Sequence, residues 1–177
     1  MAGVGSSIAR VIVRGAGSTV GRLEHDGGTV RCALGRSGLT ARKREGDGAT
    51  PRALMPLLRV LYRPDRVERP VSRLPVSPIG RHDGWCDEPH DRSYNRPVAL
   101  PYPASAESLW RDDHLYDIVV VLGYNDTPRI KGRGSAIFLH VASDDYGPTA
   151  GCIAVSRRDL VRLLTGAAPL QAIDTRI

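Results

Sequence analysis

Tyr116-Asp-Ile-Val-Val-Val-Leu122 is followed, after a glycine-bearing polar loop, by Ala136-Ile-Phe-Leu-His-Val141. Both runs are short, apolar and rich in residues that suit a pleated surface, so each reads as a strand, the first the more clearly buried. The same signature recurs upstream. Ala9–Arg14 reads as a strand, and Gly21–His25 and Gly28–Leu34 flank Asp26-Gly27, a strong hairpin signal. Leu54–Tyr62 fits a strand or a short helix, and its periodicity leaves both open. Ser105–Trp110 reads as one or two helical turns, and Arg157–Leu164 as an amphipathic helix behind a Ser156 N-cap. Arg63–Tyr102 is rich in proline, charge and turn residues, and such a long irregular stretch in a small domain is usually functional or a long surface excursion. With Gly 19, Pro 13 and a single Phe, the chain is strand-dense and helix-poor. The expected architecture is mainly β, a β-sandwich-like packing of mixed, curved sheets with one or two short helices. No repeat or linker divides it, so residues 1–177 read as one domain.

The net charge of +6 is carried almost wholly by arginine, with lysine only at Lys43 and Lys131. Arginine suits carboxylates and phosphates. The basic residues are scattered among acids, without a dense basic run or a nucleic-acid motif, so no nucleic-acid partner is expected. No apolar run approaches membrane-spanning length, so no stable membrane insertion is expected. The first residues, with Val11-Ile-Val13 between Arg10 and Arg14, do not read as a signal-peptide core.

Cys32, Cys86 and Cys152 show no paired metal spacing, and whether Cys32 and Cys86 bridge is left open. His82 and His90, among Asp83, Asp87, Glu88 and Asp91, fit no ligand pattern, so neither a metal nor a cofactor is expected. The more informative pair is His140 and Cys152. An apolar strand delivers the histidine, and twelve positions later Gly151-Cys152 stands on a turn before another apolar stretch. A thiol needs a base or electropositive surroundings to act as a nucleophile. Gly151 permits a tight turn, and the amides of Gly151 and Cys152 are candidates for an oxyanion hole.

The segment from His140 to Gly147-Pro-Thr-Ala-Gly-Cys152 resembles the signature of the L,D-transpeptidase (YkuD-like) family, in which a strand histidine is followed by Ser/Thr-His-Gly-Cys and, two residues on, Arg or Asn. Thr149, Gly151, Cys152 and His140 match. Lys43-Arg-Glu-Gly-Asp-Gly-Ala-Thr-Pro51 looks like the loop that precedes the family's catalytic half. Ala150 stands in place of the second histidine and Ala154 in place of the Arg or Asn, which marks a divergent branch. Arg157, Arg158 or Lys43 are the candidates to supply the missing charge.

The resemblance implies a peptidoglycan L,D-transpeptidase. The Cys152 thiolate, generated by His140, attacks the carbonyl at the diaminopimelate L-centre of a stem tetrapeptide and expels D-alanine. An acceptor amine then resolves the thioester into a crosslink. The implied partners are donor and acceptor stem peptides, and the implied place is the periplasm or cell envelope, with the cytoplasm as the alternative. Two other outcomes stay open: hydrolysis as an L,D-carboxypeptidase or peptide-releasing enzyme, and a catalytically silent wall-binding module. Tyr124, Trp110, Arg157, Lys43 and Asn95 are the expected substrate contacts. Trp85 and Tyr94 are further stacking candidates, with the tryptophans also readable as anchors for the long loops.

Overall fold

The computed structural model describes residues 7–166 and 168–176. Fourteen strands and one helix follow in chain order: β1 Ser7–Ile12, β2 Val20–His25, β3 Gly28–Ala33, β4 Leu39–Thr40, β5 Thr50–Pro51, β6 Leu54–Tyr62, β7 Val76–Pro78, β8 Asp83–Cys86, β9 Arg96–Ala99, β10 Ala106–Ser108, β11 Ile118–Leu122, β12 Phe138–Val141, β13 Ile153–Val155, α1 Arg157–Thr165 and β14 Leu170–Asp174. The mainly β expectation holds. Leu54–Tyr62 is a strand. Ser105–Trp110 carries strand β10 and not helical turns, because Ala106–Ser108 pairs with Gly84–Cys86 of β8.

The large mixed sheet runs β11-β12-β13-β3-β2-β1-β14-β6-β7. β6 is long enough to serve three partners, β14 along Leu54–Pro56, β11 along Leu57–Tyr62 and β7 along Val60–Tyr62. The second pairing closes the sheet on itself, with β7 left outside. Inward-facing residues alternate along the strands: Val11, Leu23, Met55, Ile118, Val120, Leu139, Ile153 and Ile173 meet in one core. α1 adds Leu160, Leu163 and Leu164 to it, and Ser156 caps the helix by accepting the Asp159 N–H at 3.1 Å.

β11 is buried along its whole length because both its faces are covered. Ile118, Val120 and Leu122 face the main core, while Val119 and Val121 face a second cluster with Trp85, Tyr116, Phe138 and Cys152. Phe138 is the hub of that cluster. Trp85 meets it edge-on at 5.1 Å and Tyr116 at 6.0 Å between ring centroids. The Arg63–Tyr102 excursion therefore has order of its own: it carries two strands of the three-stranded sheet β10-β8-β9, laid over the outer face of β11 and β12. Cys32, Cys86 and Cys152 are all free and buried. Among the described residues no helix is long and apolar enough to cross a membrane.

Candidate active site

β12 alternates Ile137, Leu139 and Val141 into the main core with Phe138 and His140 toward the second cluster. β13 runs parallel to β12 with Leu139 opposite Ile153 and His140 opposite Ala154. Cys152, one residue before β13, is thus level with Phe138, and His140 lies two residues further along the same face. Sequence spacing alone put the two residues twelve apart; the parallel register is what brings them to one surface.

The turn before Cys152 is clamped from both sides. Thr149 joins Leu34–Arg36, donating to the Leu34 carbonyl at 2.9 Å and accepting from the Arg36 amide at 2.9 Å. The Thr149 hydroxyl donates to the Cys152 carbonyl at 2.7 Å and accepts the Gly151 N–H at 3.1 Å. Beneath the turn lies the Lys43–Pro51 loop. Thr50 Oγ1 takes the Gly35 N–H at 2.9 Å, and the Ala49 carbonyl stands 2.9 Å from where a Cβ on Gly151 would be. With φ +139, position 151 calls for glycine on both counts. The Gly151 amide is spent on Thr149, so the donor left for an oxyanion is the Cys152 amide, which has no protein acceptor among the described residues.

Cys152 and His140 are not hydrogen-bonded to one another. The thiol donates to the Ala136 carbonyl at 3.2 Å, and the sulfur accepts the Phe138 N–H at 3.4 Å. His140 Nδ1 stands 2.8 Å from the Val141 carbonyl. A carbonyl only accepts, so Nδ1 carries the proton and Nε2 is left with a lone pair. Burial holds the imidazole near pKa 4, outweighing the Val141 and Leu115 carbonyls that favour its protonated form. Burial, and after it the Glu107 carboxylate, push the Cys152 thiol up to about 12, against the pull of the Phe138 amide, Lys43 and Arg111. The resting pair is therefore neutral thiol and neutral imidazole.

Both residues line one cavity of about 410 Å³. Its walls are the Glu107–Tyr116 segment, the Ser143–Ala150 turn and the Arg36–Gly46 stretch; from the Arg63–Tyr102 excursion only Asp87 reaches it. The excursion supports the site from behind, through Trp85, instead of covering it. Ala150 and Ala154 both line the cavity, so the two departures from the family pattern leave space there.

Of the expected substrate contacts, Lys43 lines the cavity, but it is buried and its ammonium is bonded to Asp47. Asn95 is buried and fully engaged: Oδ1 accepts from Trp85 Nε1 at 2.9 Å and from the Ala136 amide at 3.1 Å, while Nδ2 donates to the Tyr124 and Asn125 carbonyls. It fixes Ala136, which sits at φ 51, and through it the carbonyl that holds the thiol. Trp110 is covered by the guanidinium groups of Arg63 at 3.7 Å and Arg81 at 4.7 Å. Tyr124 packs on the main core, and Arg157 lies in a separate cavity beside Asp117, at 4.0 Å. Trp85 and Tyr94 are buried anchors.

Sequence reasoning missed Glu107, Tyr116 and Arg36. Tyr116 packs edge-on against His140 at 5.2 Å and donates its hydroxyl to Glu107 at 2.6 Å. Arg36 is exposed at the cavity and has no ion-pair partner among the described residues. None stands in a motif; only the pairing of β10 with β8 brings Glu107 into the wall.

The family model described as YkuD, L,D-transpeptidase catalytic domain, matches residues 9–168, and the chain belongs to that family. Membership carries a cysteine-dependent transpeptidase class and peptidoglycan substrates, and the mainly β architecture agrees with the family's catalytic fold. No curated protein and no solved structure matches the chain.

Proposed function

We propose that the protein is a peptidoglycan L,D-transpeptidase working as a single catalytic domain in the cell envelope, with Cys152 as nucleophile and His140 as base. The observation that carries this reading is that the thiol and the imidazole open into the same cavity from adjacent parallel strands of a chain in this family. Rotation of the Cys152 side chain away from Ala136 turns the sulfur toward the ring. His140 Nε2 takes the thiol proton as sulfur bonds to the carbonyl carbon at the diaminopimelate L-centre, and the Cys152 amide receives the oxyanion. The carbon–nitrogen bond to D-alanine then breaks, and the departing amine takes the proton from the imidazolium. In the second half an acceptor amine attacks the thioester, its proton passes through His140 to the sulfur, and the thiol is restored.

Because thiol and imidazole are both neutral at rest, the thiolate forms only as the substrate is attacked. That protects the sulfur from competing chemistry between turnovers. Arg36, unpaired at the rim, takes the carboxylate of the departing D-alanine in place of the charge missing at Ala154. Incubation with a disaccharide tetrapeptide tests the reading: dimer and free D-alanine support transfer. Tripeptide without dimer means hydrolysis, and unchanged substrate with no adduct refutes the assignment.

A further inference from the structure

Two carboxylates in the cavity wall are not used by the steps above. Glu107 sits on β10, and Asp87 follows β8, the strand that pairs with it; Cys86 is opposite Ala106 and Trp85 opposite Glu107. Both acids line the cavity that holds Cys152. Glu107 Oε1 accepts from Tyr116, with Arg111 at 3.8 Å, but Arg111 is bound more closely to Asp113, at 2.5 Å and 2.9 Å. Oε2 of Glu107 has no donor among the described residues. Asp87 Oδ1 is buried and also has none. A buried carboxylate oxygen without a donor, as on Asp87, is costly, and the Asp87 charge also opposes that of the partly exposed Glu107. The arrangement is relieved by a cation that brings several N–H donors. The lysine that lines the cavity, Lys43, is already held by Asp47.

We infer that Glu107 and Asp87 form the subsite for the side-chain ammonium of the diamino acid whose carbonyl Cys152 attacks. The inference rests on the transpeptidase reading and adds the feature that selects the donor. The donor's side chain carries a free ammonium a few bonds from the reacting carbonyl, a reach that suits a carboxylate in the same cavity wall. With Arg36 at that cavity, a guanidinium without an ion-pair partner among the described residues, the site offers opposite charges to a ligand that bears both an ammonium and a carboxylate. There is a second consequence. The Glu107 carboxylate opposes a negative charge on the sulfur, and burial raises its own pKa. A docked ammonium cancels that opposition, so binding the correct donor also eases formation of the thiolate. The charges facing Glu107 are Arg111, Asp113 and Asp87, with Tyr116 as its hydrogen-bond donor.

Two stem tetrapeptides test the subsite, one with the side-chain amine free and one with it acetylated, with the rate of acyl-adduct formation read by intact mass. The wild type should acylate about tenfold or more faster with the free amine, the size expected of a charge-assisted hydrogen bond. Glu107→Gln keeps an acceptor for Tyr116 and should lose that preference, slowing the free-amine donor and, with the charge opposing the thiolate gone, speeding the acetylated one; Asp87→Asn should reduce it. Equal rates for both donors in the wild type overturn the subsite without reference to any variant, as does a Glu107→Gln enzyme that keeps the preference. Acylation by neither donor overturns the transpeptidase reading itself, and the subsite with it.

Discussion

Cys152 gives its thiol hydrogen to the Ala136 carbonyl at 3.2 Å, so the resting nucleophile is held by the backbone and not by the imidazole. The carbonyl is aimed by a residue in the left-handed region, Ala136 at φ 51, whose amide is fixed by Asn95. This chain of contacts makes Asn95 important to the site although it does not face the cavity. Asn95→Ala would leave the Trp85 indole, the Ala136 amide and two carbonyls without partners in a buried region. We expect a loss of about 2–4 kcal/mol of stability in denaturant titration, with slower acylation of Cys152 in the fraction that stays folded.

Gly151→Ala introduces a Cβ 2.9 Å from the Ala49 carbonyl at φ +139. Backbone strain and the clash together should cost roughly 2–4 kcal/mol, seen as a lowered melting temperature. Acylation should also fall, because Thr149 loses its grip on the turn that presents the sulfur. A variant as stable and as fast as the wild type would show that this turn is not under the constraint the geometry indicates.

The buried imidazole gives a pH signature. His140 has its pKa lowered from 6.5 to about 4, so as pH falls the unfolded chain takes up the proton first. Its contribution is complete above about pH 6.5 and is lost as pH falls toward 4, amounting to about 3 kcal/mol. Stability measured from pH 7 to pH 4 should decline less steeply in His140→Gln than in the wild type. Acylation by the wild type should keep an active base down to about pH 4 and fail below it; an acidic limb near pH 6.5 would mean that the ring is solvated in solution.

How far the sequence reaches differs from element to element. The β2–β3 hairpin was legible because Asp26-Gly27 is a local turn signal, and α1 because Ser156 and the spacing of Leu160, Leu163 and Leu164 are local as well. The three-stranded sheet was not. Its strands are short, carry prolines and charges, and are defined by pairing between segments far apart in the chain, so Ala106–Ser108 looked like a helical turn. His140 and Cys152 could be singled out by residue type and turn chemistry, but their placement on one face follows from the β12–β13 register. Asn95, Trp110 and Tyr124 looked like binding residues because polar and aromatic side chains in loops suit either ligands or buried anchoring. Only their partners decide between the two.

Intact-mass analysis of the wild type and Cys152→Ala during incubation with a disaccharide tetrapeptide puts the nucleophile to the test. The wild type should gain one acyl group, mapped to Cys152, while D-alanine appears in solution; Cys152→Ala should gain none and melt within a few degrees of the wild type. An adduct on Cys32 or Cys86, or undiminished D-alanine release by Cys152→Ala, would contradict the assignment.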